Sequence, residues 1–421
     1  MLRCGLLGEK LGHSYSPEIH ALLGDYEYEL YEKTPGEAEV FLRHGEFDGL
    51  NVTIPYKKTA AALCAQLSPV ARKLGSVNTI AVRKGEDGSR ALYGDNTDYA
   101  GFAALVRKSR VRVEGCKCLV LGSGGASVTV QAVLKDLGAG EVVVISRSGA
   151  DNYGNLERHA DADVLVNTTP VGMYPNNGQA PLDLHGFKNL KAVYDLIYNP
   201  ARTALVLQAE SLGIPAFGGL LMLVAQAEAA SRVFTAIDPA HPDEDPLRSA
   251  AKIQAICDYL SGAQQNIALI GMPGCGKTAV AKVLAELTGR EVYDADEEIE
   301  KRTGKLIPEI FAEGGEEGFR AVETEVLADL GKLSGVILAT GGGCVTRPEN
   351  YALLRQNSRI VWIQRDLSLL AKEGRPLSMA GDINQIYVER KPKYERFADF
   401  SVVNDSTPEA CAALICKELE R

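Results

Sequence analysis

The stretch Gly271–Thr278 has the sequence Gly-Met-Pro-Gly-Cys-Gly-Lys-Thr, a composition suited to holding phosphate groups. Glycines let the backbone fold around phosphate oxygens with its N–H groups directed at them. The ammonium of Lys277 can neutralise the β- and γ-phosphates of ATP, and the hydroxyl of Thr278 suits Mg²⁺. The sequence therefore predicts an ATP site formed by Gly274, Cys275, Gly276, Lys277 and Thr278.

Two acids, Asp294 and Asp296, follow this loop, and we expect them on the same side of an extended segment. Phosphoryl transfer needs Mg²⁺ near the phosphates and a group that orients the attacking hydroxyl. The two carboxylates can divide these tasks. The pair leads an acidic stretch, Glu297–Glu300, which by itself is more typical of the solvated start of a helix, stabilised by the helix dipole.

A second glycine-rich stretch, Gly122–Ser127, lies between the apolar run Lys117–Leu121 and a helical pattern over Val128–Leu137. Another apolar run, Val142–Ile145, follows, so strand, glycine turn, helix and strand form a Rossmann unit. A merely structural turn is the alternative. In the Rossmann interpretation a pyrophosphate lies at the start of the helix, against Gly122, Gly124, Gly125 and Ala126.

The residues after the second strand indicate which dinucleotide is bound. An NAD site places an acidic residue there to bind the ribose hydroxyls. This chain instead has Ser146, Arg147 and Ser148, a cation between two hydroxyls. That set suits a 2′-phosphate and favours NADP(H), whereas the alternative is a solvated surface arginine.

Polar residues of the first hundred positions form a third candidate site. Ser14 and Ser16 flank Tyr15 in a loop and could bind a carboxylate, although loop serines are more often solvated. Leu50, Val52 and Ile54 alternate with polar residues over Gly49–Lys57, which predicts a strand ending at Pro55 with Lys57 just beyond it. Further polar clusters occur at Gly75–Thr79, Gly94–Gly101, Asn167–Met173 and Ala192–Pro200.

The elements that must position these groups belong to several domains. At 421 residues, with 46% hydrophobic and 24% charged residues, the chain has the composition of a soluble globular protein. The short apolar runs followed by glycine turns and helices indicate an α/β fold. Asp238–Pro246 holds three prolines and four acids, which is typical of a linker, and we expect a helix over 248–260 after it.

The net charge and the cysteine content indicate which binding partners and which cellular compartment to expect. A net charge of −10 disfavours nucleic-acid binding. The nine cysteines form no C-x-x-C pair and the six histidines no H-E-x-x-H, so the thiols are expected to be reduced and structural zinc is not indicated. The start carries no apolar signal segment and no stretch suits a membrane span, so we expect a cytoplasmic protein. No feature indicates an oligomeric state.

With these motifs in order, the chain resembles a fusion of two enzyme families. Residues 1 to about 237 resemble shikimate dehydrogenase, and residues 264–421 resemble shikimate kinase. The first resemblance implies a substrate domain over 1–100, completed by about 218–237, and a Rossmann domain over 101–217; a linker and helix fill 238–263. The second implies a P-loop domain like that of nucleoside-monophosphate kinases. The dehydrogenase motifs are His13–Pro17, Asn51–Lys57, Val77–Thr79, Asn96–Asp98, the glycine loop, Asn167–Gly172 and Met222–Gln226.

The resemblance to shikimate dehydrogenase implies roles for the residues of the third site. Lys57 and Asp98 would form the catalytic pair for reduction of 3-dehydroshikimate by NADPH, the ammonium stabilising negative charge on the ketone oxygen. Ser14 and Ser16 would hold the substrate carboxylate. Residues predicted to contact the rest of the substrate are Asn51, Thr53, Asn78, Tyr198 and Gln226.

The resemblance to shikimate kinase implies that Asp294 binds Mg²⁺ through water and that Asp296 contacts the acceptor hydroxyl. Arg375, in a lid motif, would reach the transferring phosphate, alongside Lys277. The shikimate carboxylate would be held by guanidinium groups, which suit it better than ammonium. The shikimate-binding residues so implied are Arg320, Gly341, Gly342, Gly343 and Arg390.

The chain departs from the two families at three places. Ser127 stands where the dehydrogenases usually have alanine, which should still permit close helix packing. Ala150 and Asp151 stand where a second arginine usually follows Arg147, which predicts a weaker preference for NADP. The lid segment, Asp366–Tyr387, is compressed and has Ser378 in place of a usual leucine.

Two alternatives to the bifunctional enzyme remain at this stage. One keeps the folds and changes the substrate, for example to quinate, because Ser14 and Ser16 discriminate poorly between such acids. The other is a metabolite sensor without activity, which predicts loss of the catalytic residues. Lys57, Asp98, Lys277 and Asp296 are all present, which favours an enzyme.

Overall fold

The computed structural model describes residues 1–12, 14–84, 89–235, 246–370 and 383–420. The described chain divides into two compact units. The first comprises Met1–Val171, Ala180–Tyr198 and Gln208–Tyr259, and the second comprises Gly172–Gln179, Asn199–Leu207 and Leu260–Arg421.

The first sheet of the first unit runs in the order β2-β1-β3-β5-β6-β4. Strands β1, β2 and β3 are parallel, whereas β5 pairs antiparallel with both β3 and β6. Strand β3 ends at Val52, earlier than the sequence predicts, because the chain turns after Thr53 and Tyr56 N–H donates to Thr53 O at 2.9 Å. The bounds are β1 Arg3–Gly8, β2 Glu27–Glu32, β3 Gly49–Val52, β4 Gln66–Leu67, β5 Thr79–Lys84 and β6 Arg90–Asp95.

The second sheet of this unit is parallel and runs β11-β10-β9-β7-β8. Residues 118–121 of β7 are all buried, as expected for a central strand of a parallel sheet. Strand order reverses at β7, which places a binding crevice at the carboxyl ends of β7 and β9. The bounds are β7 Lys117–Leu121, β8 Glu141–Ile145, β9 Val164–Asn167, β10 Ala192–Asp195 and β11 Ala216–Phe217.

The sheet of the second unit is also parallel, in the order β13-β14-β12-β15-β16. Its central strand β12 leads directly into the glycine loop at 271. The predicted α/β fold class, with Rossmann and P-loop portions, is confirmed. The bounds are β12 Asn266–Ile270, β13 Val292–Asp294, β14 Ile337–Ala339, β15 Ser358–Gln364 and β16 Phe400–Val403.

Helices connect and cover these strands. In the described chain they are α1 Ser16–Leu23, α2 Pro35–His44, α3 Lys57–Leu63, α4 Pro69–Leu74, α5 Asp98–Ser109, α6 Gly125–Asp136, α7 Ala204–Ser211, α8 Leu220–Phe234, α9 Pro246–Gln264, α10 Lys277–Thr288, α11 Ala295–Thr303, α12 Ile307–Leu330, α13 Glu349–Arg355, α14 Ile383–Phe397 and α15 Pro408–Leu419. Short 3₁₀ turns cover Leu156–His159, Leu184–Gly186, Cys344–Thr346 and Leu367–Leu369.

Close packing of α5 on α8 brings two parts of the third site together. A Cβ placed on Gly101 of α5 would lie 2.6 Å from Met222 O and 2.9 Å from Gln226 Cβ of α8. Any side chain there would push the helices apart. Because α5 begins at Asp98, this contact fixes the Asp98 carboxylate near Gln226.

Candidate active sites

Lys57 and Asp98 form an ion pair in the first unit. Lys57 is the first residue of α3 and Asp98 the first of α5. Lys57 Nζ lies 2.5 Å from Asp98 Oδ2, and their side chains are 21% and 13% exposed. The pair is thus partly shielded from water yet reachable by a small molecule. An ammonium held in this way can donate a proton to a developing oxyanion.

Asn78 connects this pair to α8. Its Nδ2 donates to Asp98 Oδ1 and to Gln226 Oε1, both at 3.0 Å. Its Oδ1 accepts from Thr97 N–H at 2.7 Å and from Thr79 Oγ1 at 3.0 Å. Asn78 is buried. Residues from β5, α5 and α8 are therefore held in one network, and the predicted residues Lys57, Asn78, Asp98 and Gln226 lie together.

Asn51 joins the same network from β3. Its Nδ2 donates to Thr79 Oγ1 at 3.2 Å, and its Oδ1 accepts from Tyr28 OH at 2.8 Å. Thr53, which follows β3, is placed differently. Its backbone N–H donates to Leu7 O at 2.9 Å, and its methyl group lies against Gly8.

Ser14 and Tyr15 lie in the loop before α1, whereas Ser16 is the first residue of that helix and not a loop residue as the sequence predicts. Ser14 Oγ accepts from Ser16 N–H at 3.2 Å, which leaves the Ser14 hydroxyl proton available to a ligand. The ring centroids of Tyr15 and Tyr198 are 5.1 Å apart, so Tyr198 packs beside this loop. Burial raises the pKa of the Tyr198 phenol, which keeps it a neutral hydrogen-bond donor.

Sequence reasoning missed two aromatic residues behind this loop, His20 and Tyr28. Their rings stack with centroids 3.9 Å apart, and His20 Nδ1 lies 2.7 Å from Tyr26 OH. Burial lowers the pKa of His20 to about 3, so the imidazole is neutral. Tyr28 supports Asn51 from a strand that pairs with β1 rather than with β3, which only the strand order reveals.

The Gly122 loop lies between β7 and α6, as the sequence predicts. Helix α6 begins at Gly125 and no side chain of the described residues caps it, so its first N–H groups are free for a pyrophosphate. Ala126 lies in the first turn. Ser127 is fully buried and accepts from Gln131 Nε2 at 3.1 Å, so the helix accommodates it.

The Ser146–Ser148 segment follows β8 directly. Arg147 and Ser148 are exposed, and Ser146 is half-buried. Gly122 N–H donates to Ile145 O at 2.8 Å, which holds the end of β8 beside the glycine loop. Burial raises the pKa of the nearby Tyr153 phenol, and the positive charge of Arg147 opposes that rise. A dinucleotide lying across the glycine loop would therefore meet Arg147 with its adenosine ribose.

In the second unit the glycine loop has the predicted position between β12 and α10. Lys277 Nζ donates to Gly271 O at 2.9 Å and to Met272 O at 3.1 Å. Asn404, after β16, donates from Nδ2 to Cys275 O at 2.8 Å and fixes the loop from outside. Sequence reasoning missed Asn404 because no local pattern links it to residue 275.

Thr278 Oγ1 donates to Asp294 Oδ2 at 2.8 Å, which brings together the two residues predicted for Mg²⁺. The prediction of an extended segment through Asp296 is wrong. Asp294 ends β13 and caps α11, its Oδ1 accepting from Asp296 N–H at 3.0 Å. Asp296 consequently lies in the first helical turn, where the acidic residues are favoured by the helix dipole.

Arg320 lies in a buried charged cluster that sequence reasoning described only in part. Its Nη1 donates to Glu323 Oε2 at 2.7 Å, and Glu323 is fully buried. Burial raises the pKa of Glu323 and the neighbouring Asp296 adds to the rise, whereas Arg320 opposes it. Arg390 Nη1 donates to Gly342 O at 3.1 Å, and Tyr394 OH also donates to that oxygen.

Neighbouring residues lie so close to the glycine triplet at positions 341–343 that only glycine fits there. A Cβ at Gly341 would collide with Glu323 Oε1 and lie 3.2 Å from Asp296 Oδ1. At Gly342 it would lie 2.6 Å from Pro273, and at Gly343 it would overlap the Arg320 guanidinium. The triplet therefore packs against both the ATP loop and the arginine cluster. The structure brings Asp296, Arg320, Arg390 and the triplet together, whereas Arg375 lies outside the described residues.

Comparison with known proteins matches two stretches of the chain to the models of two families. The model of the shikimate dehydrogenase substrate binding domain matches residues 6–80, and the shikimate kinase model matches 273–420. A shikimate dehydrogenase (NADP(+)) of Clostridium perfringens is 35% identical over 254 residues, covering 55% of this chain and 92% of the relative. One of Methanosarcina barkeri is 34% identical, covering 56% and 93%.

Solved structures agree for the first part of the chain. A chorismate mutase/shikimate 5-dehydrogenase fusion protein from Clostridium acetobutylicum has a TM-score of 0.53 and 34% identity, covering 60% of this chain and 96% of its own. A shikimate 5-dehydrogenase from Thermus thermophilus, in complex with NADP(H) and shikimate, has a TM-score of 0.50 and 31% identity, covering 61% and 100%. No helix in the described ranges has the length and apolar character needed to span a bilayer.

Proposed function

Since the chain belongs to the shikimate dehydrogenase family and its residues 273–420 match the shikimate kinase model, we propose that it catalyses two consecutive reactions. The first is the reduction of 3-dehydroshikimate to shikimate with NADPH, and the second is the phosphorylation of the shikimate 3-hydroxyl with ATP. The observation that carries the proposal is the Lys57–Asp98 pair at 2.5 Å, held to Gln226 through Asn78.

In the first reaction, Lys57 stabilises and protonates the ketone oxygen as negative charge develops on it. Asp98 orients the ammonium and, through Asn78, is itself held in place. NADPH supplies the hydride; with the proton from Lys57 this completes the alcohol. The chain's groups fit such a cofactor because α6 has no side-chain cap and Arg147 is exposed beyond β8.

Substrate contacts in the first site follow from the same arrangement. We assign the substrate carboxylate to the Ser14 and Ser16 hydroxyls, with Tyr198 beside them. We assign the ring hydroxyls of the substrate to the amide side chains around the Lys57–Asp98 pair. These are Asn51, Asn78 and Gln226, with Thr53 at the end of β3.

In the second reaction, Lys277 exchanges its bonds to Gly271 O and Met272 O for phosphate oxygens. Thr278 Oγ1 and Asp294 Oδ2, 2.8 Å apart, would hold Mg²⁺, which prefers oxygen ligands, Asp294 acting through water. Asp296 orients the attacking hydroxyl. Arg320 and Arg390 hold the shikimate carboxylate, and Arg375 is assigned to the transferring phosphate.

We assign these roles to domains with the bounds expected from the sequence. Residues 1–100 with 218–237 form the substrate domain, residues 101–217 bind NADP(H), and residues 264–421 form the kinase. The parallel sheet β7–β11 supports the second assignment and the sheet β12–β16 the third. We also assign the protein to the cytoplasm, in line with its composition.

One coupled assay tests both reactions. Purified full-length protein is given 3-dehydroshikimate, NADPH and ATP with Mg²⁺, and NADPH loss and shikimate 3-phosphate are followed. We expect NADPH to be consumed and shikimate 3-phosphate to form. No phosphorylated product should form unless 3-dehydroshikimate or shikimate is present. If the protein oxidises quinate with NADP⁺ in preference to shikimate, quinate is the substrate of the first site. Absence of both turnovers would overturn the enzymatic proposal.

A further inference from the structure

The connection between β8 and β9 begins with Ser146–His159, which we call the β8 loop. It carries Arg147, on which the proposed use of NADPH depends. Arg147 is exposed, and within the described residues no carboxylate forms an ion pair with it. An arginine in this state can receive a phosphate without first losing an internal partner.

Asp151 is the acid that could interfere with this role, because it follows Arg147 by four residues. A carboxylate near Arg147 would neutralise it and repel a phosphate. In the structure Asp151 Oδ1 instead lies 3.0 Å from His159 Nε2. Because an ionised carboxylate can only accept hydrogen bonds, Nε2 of His159 is the donor in this pair, and Nδ1 is buried with no hydrogen-bond partner among the described groups.

Backbone and amide hydrogen bonds give the β8 loop one conformation. Ser146 N–H donates to Asp151 O at 3.2 Å, which keeps the Asp151 backbone beside the end of β8. Asn152 N–H donates to Asn155 Oδ1 at 2.8 Å, and Asn155 Nδ2 donates to Ala150 O at 2.9 Å. The backbone of Asp151 thus stays near Ser146 while its carboxylate is committed to His159.

We propose that the Asp151–His159 pair is a positioning device for cofactor selection. By holding the Asp151 carboxylate, buried His159 leaves Arg147, Ser146 and Ser148 free to receive the 2′-phosphate of NADP. The pair thereby offsets the absence of an arginine just after Arg147, where Ala150 and Asp151 stand instead. This inference rests on the proposed function, since it assumes that the first unit binds NADP(H).

The test measures binding of NADP⁺ and of NAD⁺ to the full-length protein by isothermal titration calorimetry. His159→Phe keeps a buried ring and removes the donor to Asp151. We expect it to weaken NADP⁺ binding about tenfold, the scale of a lost charge-assisted contact, and to leave NAD⁺ binding unchanged. The matched control is His185→Phe, which removes an exposed histidine 2.6 Å from Asp183 and should change neither affinity.

A second substitution separates the charge of Asp151 from the shape of the β8 loop. In the double variant His159→Phe/Asp151→Asn the competing charge is gone, so NADP⁺ affinity should recover. Asp151→Asn alone should leave the affinities for NADP⁺ and NAD⁺ unchanged, because the asparagine oxygen still accepts from His159. If His159→Phe does not fold, the NADP⁺ affinity of Asp151→Asn remains as the test.

Three results would overturn the inference: equal loss of NADP⁺ and NAD⁺ binding in His159→Phe, no recovery in the double variant, or tighter NADP⁺ binding in Asp151→Asn. Failure of the unaltered protein to bind NADP⁺ would contradict the proposed function itself, before any variant is compared.

Discussion

The two candidate sites each contain a lysine, and the two lysines have different partners. Lys57 bonds to the carboxylate of Asp98, which comes from another helix. Lys277 bonds to Gly271 O and Met272 O of its own loop. The first site therefore holds its charged pair ready before substrate binds, whereas in the second an anionic ligand must replace local carbonyl groups.

The sites also differ in the groups available for the same carboxylate. We assign this carboxylate to the neutral hydroxyls of Ser14 and Ser16 in the first site and to the guanidinium groups of Arg320 and Arg390 in the second. A guanidinium adds the attraction between two opposite charges to its hydrogen bonds with the carboxylate, whereas a serine hydroxyl contributes only a hydrogen bond from a neutral donor. The comparison predicts that shikimate is bound more weakly where it is made than where it is consumed.

The largest expected effect comes from removing each lysine. Lys57→Met should lower kcat of the reduction by about 10²–10⁴, since it removes both proton donor and charge, and should leave the kinase unchanged. Lys277→Met should lower kcat of phosphorylation by at least about 10² and leave the reduction unchanged. Each variant is the control for the other in the coupled assay. Loss of both activities in either variant would contradict the assignment of separate sites.

Arg390→Ala tests the charged carboxylate site. We expect the KM for shikimate to rise about 10- to 100-fold, with the KM for ATP unchanged, because a charge-assisted contact is lost. Arg396→Ala, an exposed arginine on the same helix, is the matched control. A rise in the KM for ATP alone would reassign Arg390 to the nucleotide. Arg390 is preferred to Arg320, whose removal would leave Glu323 buried without its cation.

Ser14→Ala tests the neutral carboxylate site. The KM for 3-dehydroshikimate should rise about 2- to 10-fold with kcat nearly unchanged, because one neutral donor is lost while Ser16 still holds the carboxylate. Ser211→Ala, at an exposed serine of α7 in the same unit, should leave this KM unchanged and provides the control. A rise as large as that in Arg390→Ala would remove the proposed difference between the two carboxylate sites.

The sequence predicted best those parts that local patterns determine. The glycine loops at 122 and 271 and their flanking strands and helices occur where expected, because a glycine turn between an apolar run and a helical repeat is a local signal. The sheet orders were not derivable from the residues, since pairing β1 between β2 and β3 depends on contacts distant in sequence. The early end of β3 and the helical position of Asp296 depend on single hydrogen bonds.

The same distinction holds within the sites. The motifs named Lys57 and Asp98, but the bridge through Asn78 to Gln226 spans 148 residues and required the fold. Glu323 could have been found, because it follows Arg320 by three residues and such pairs meet on a helix. His20 had no such signal: its burial against Tyr28 follows from packing of α1 on β2.

His20 gives the prediction with the smallest effect on activity, and it concerns only the first site. Its pKa of about 3 in the folded protein lies below the ordinary value of about 6.5, so below pH 6.5 the unfolded chain binds a proton that the folded chain does not. The contribution of His20 to the free energy of unfolding is therefore fully present above pH 6.5 and is lost as the pH falls toward 3. At pH 5.5 the loss from this residue is about 1.4 kcal/mol.

His20→Gln removes this proton uptake while keeping a polar group for Tyr26. Between pH 7.5 and pH 5.5, we expect the variant to lose less stability than the unaltered protein, measured by hydrogen exchange of amides in β1 and β2. Amides of β12 and β15 in the second unit should lose the same stability in both proteins and serve as the internal control. If the amides of β1 and β2 respond equally to pH in the two proteins, His20 is protonated in the folded state. The buried ring beside Tyr28 would then carry a positive charge, which contradicts the expected effect of its burial.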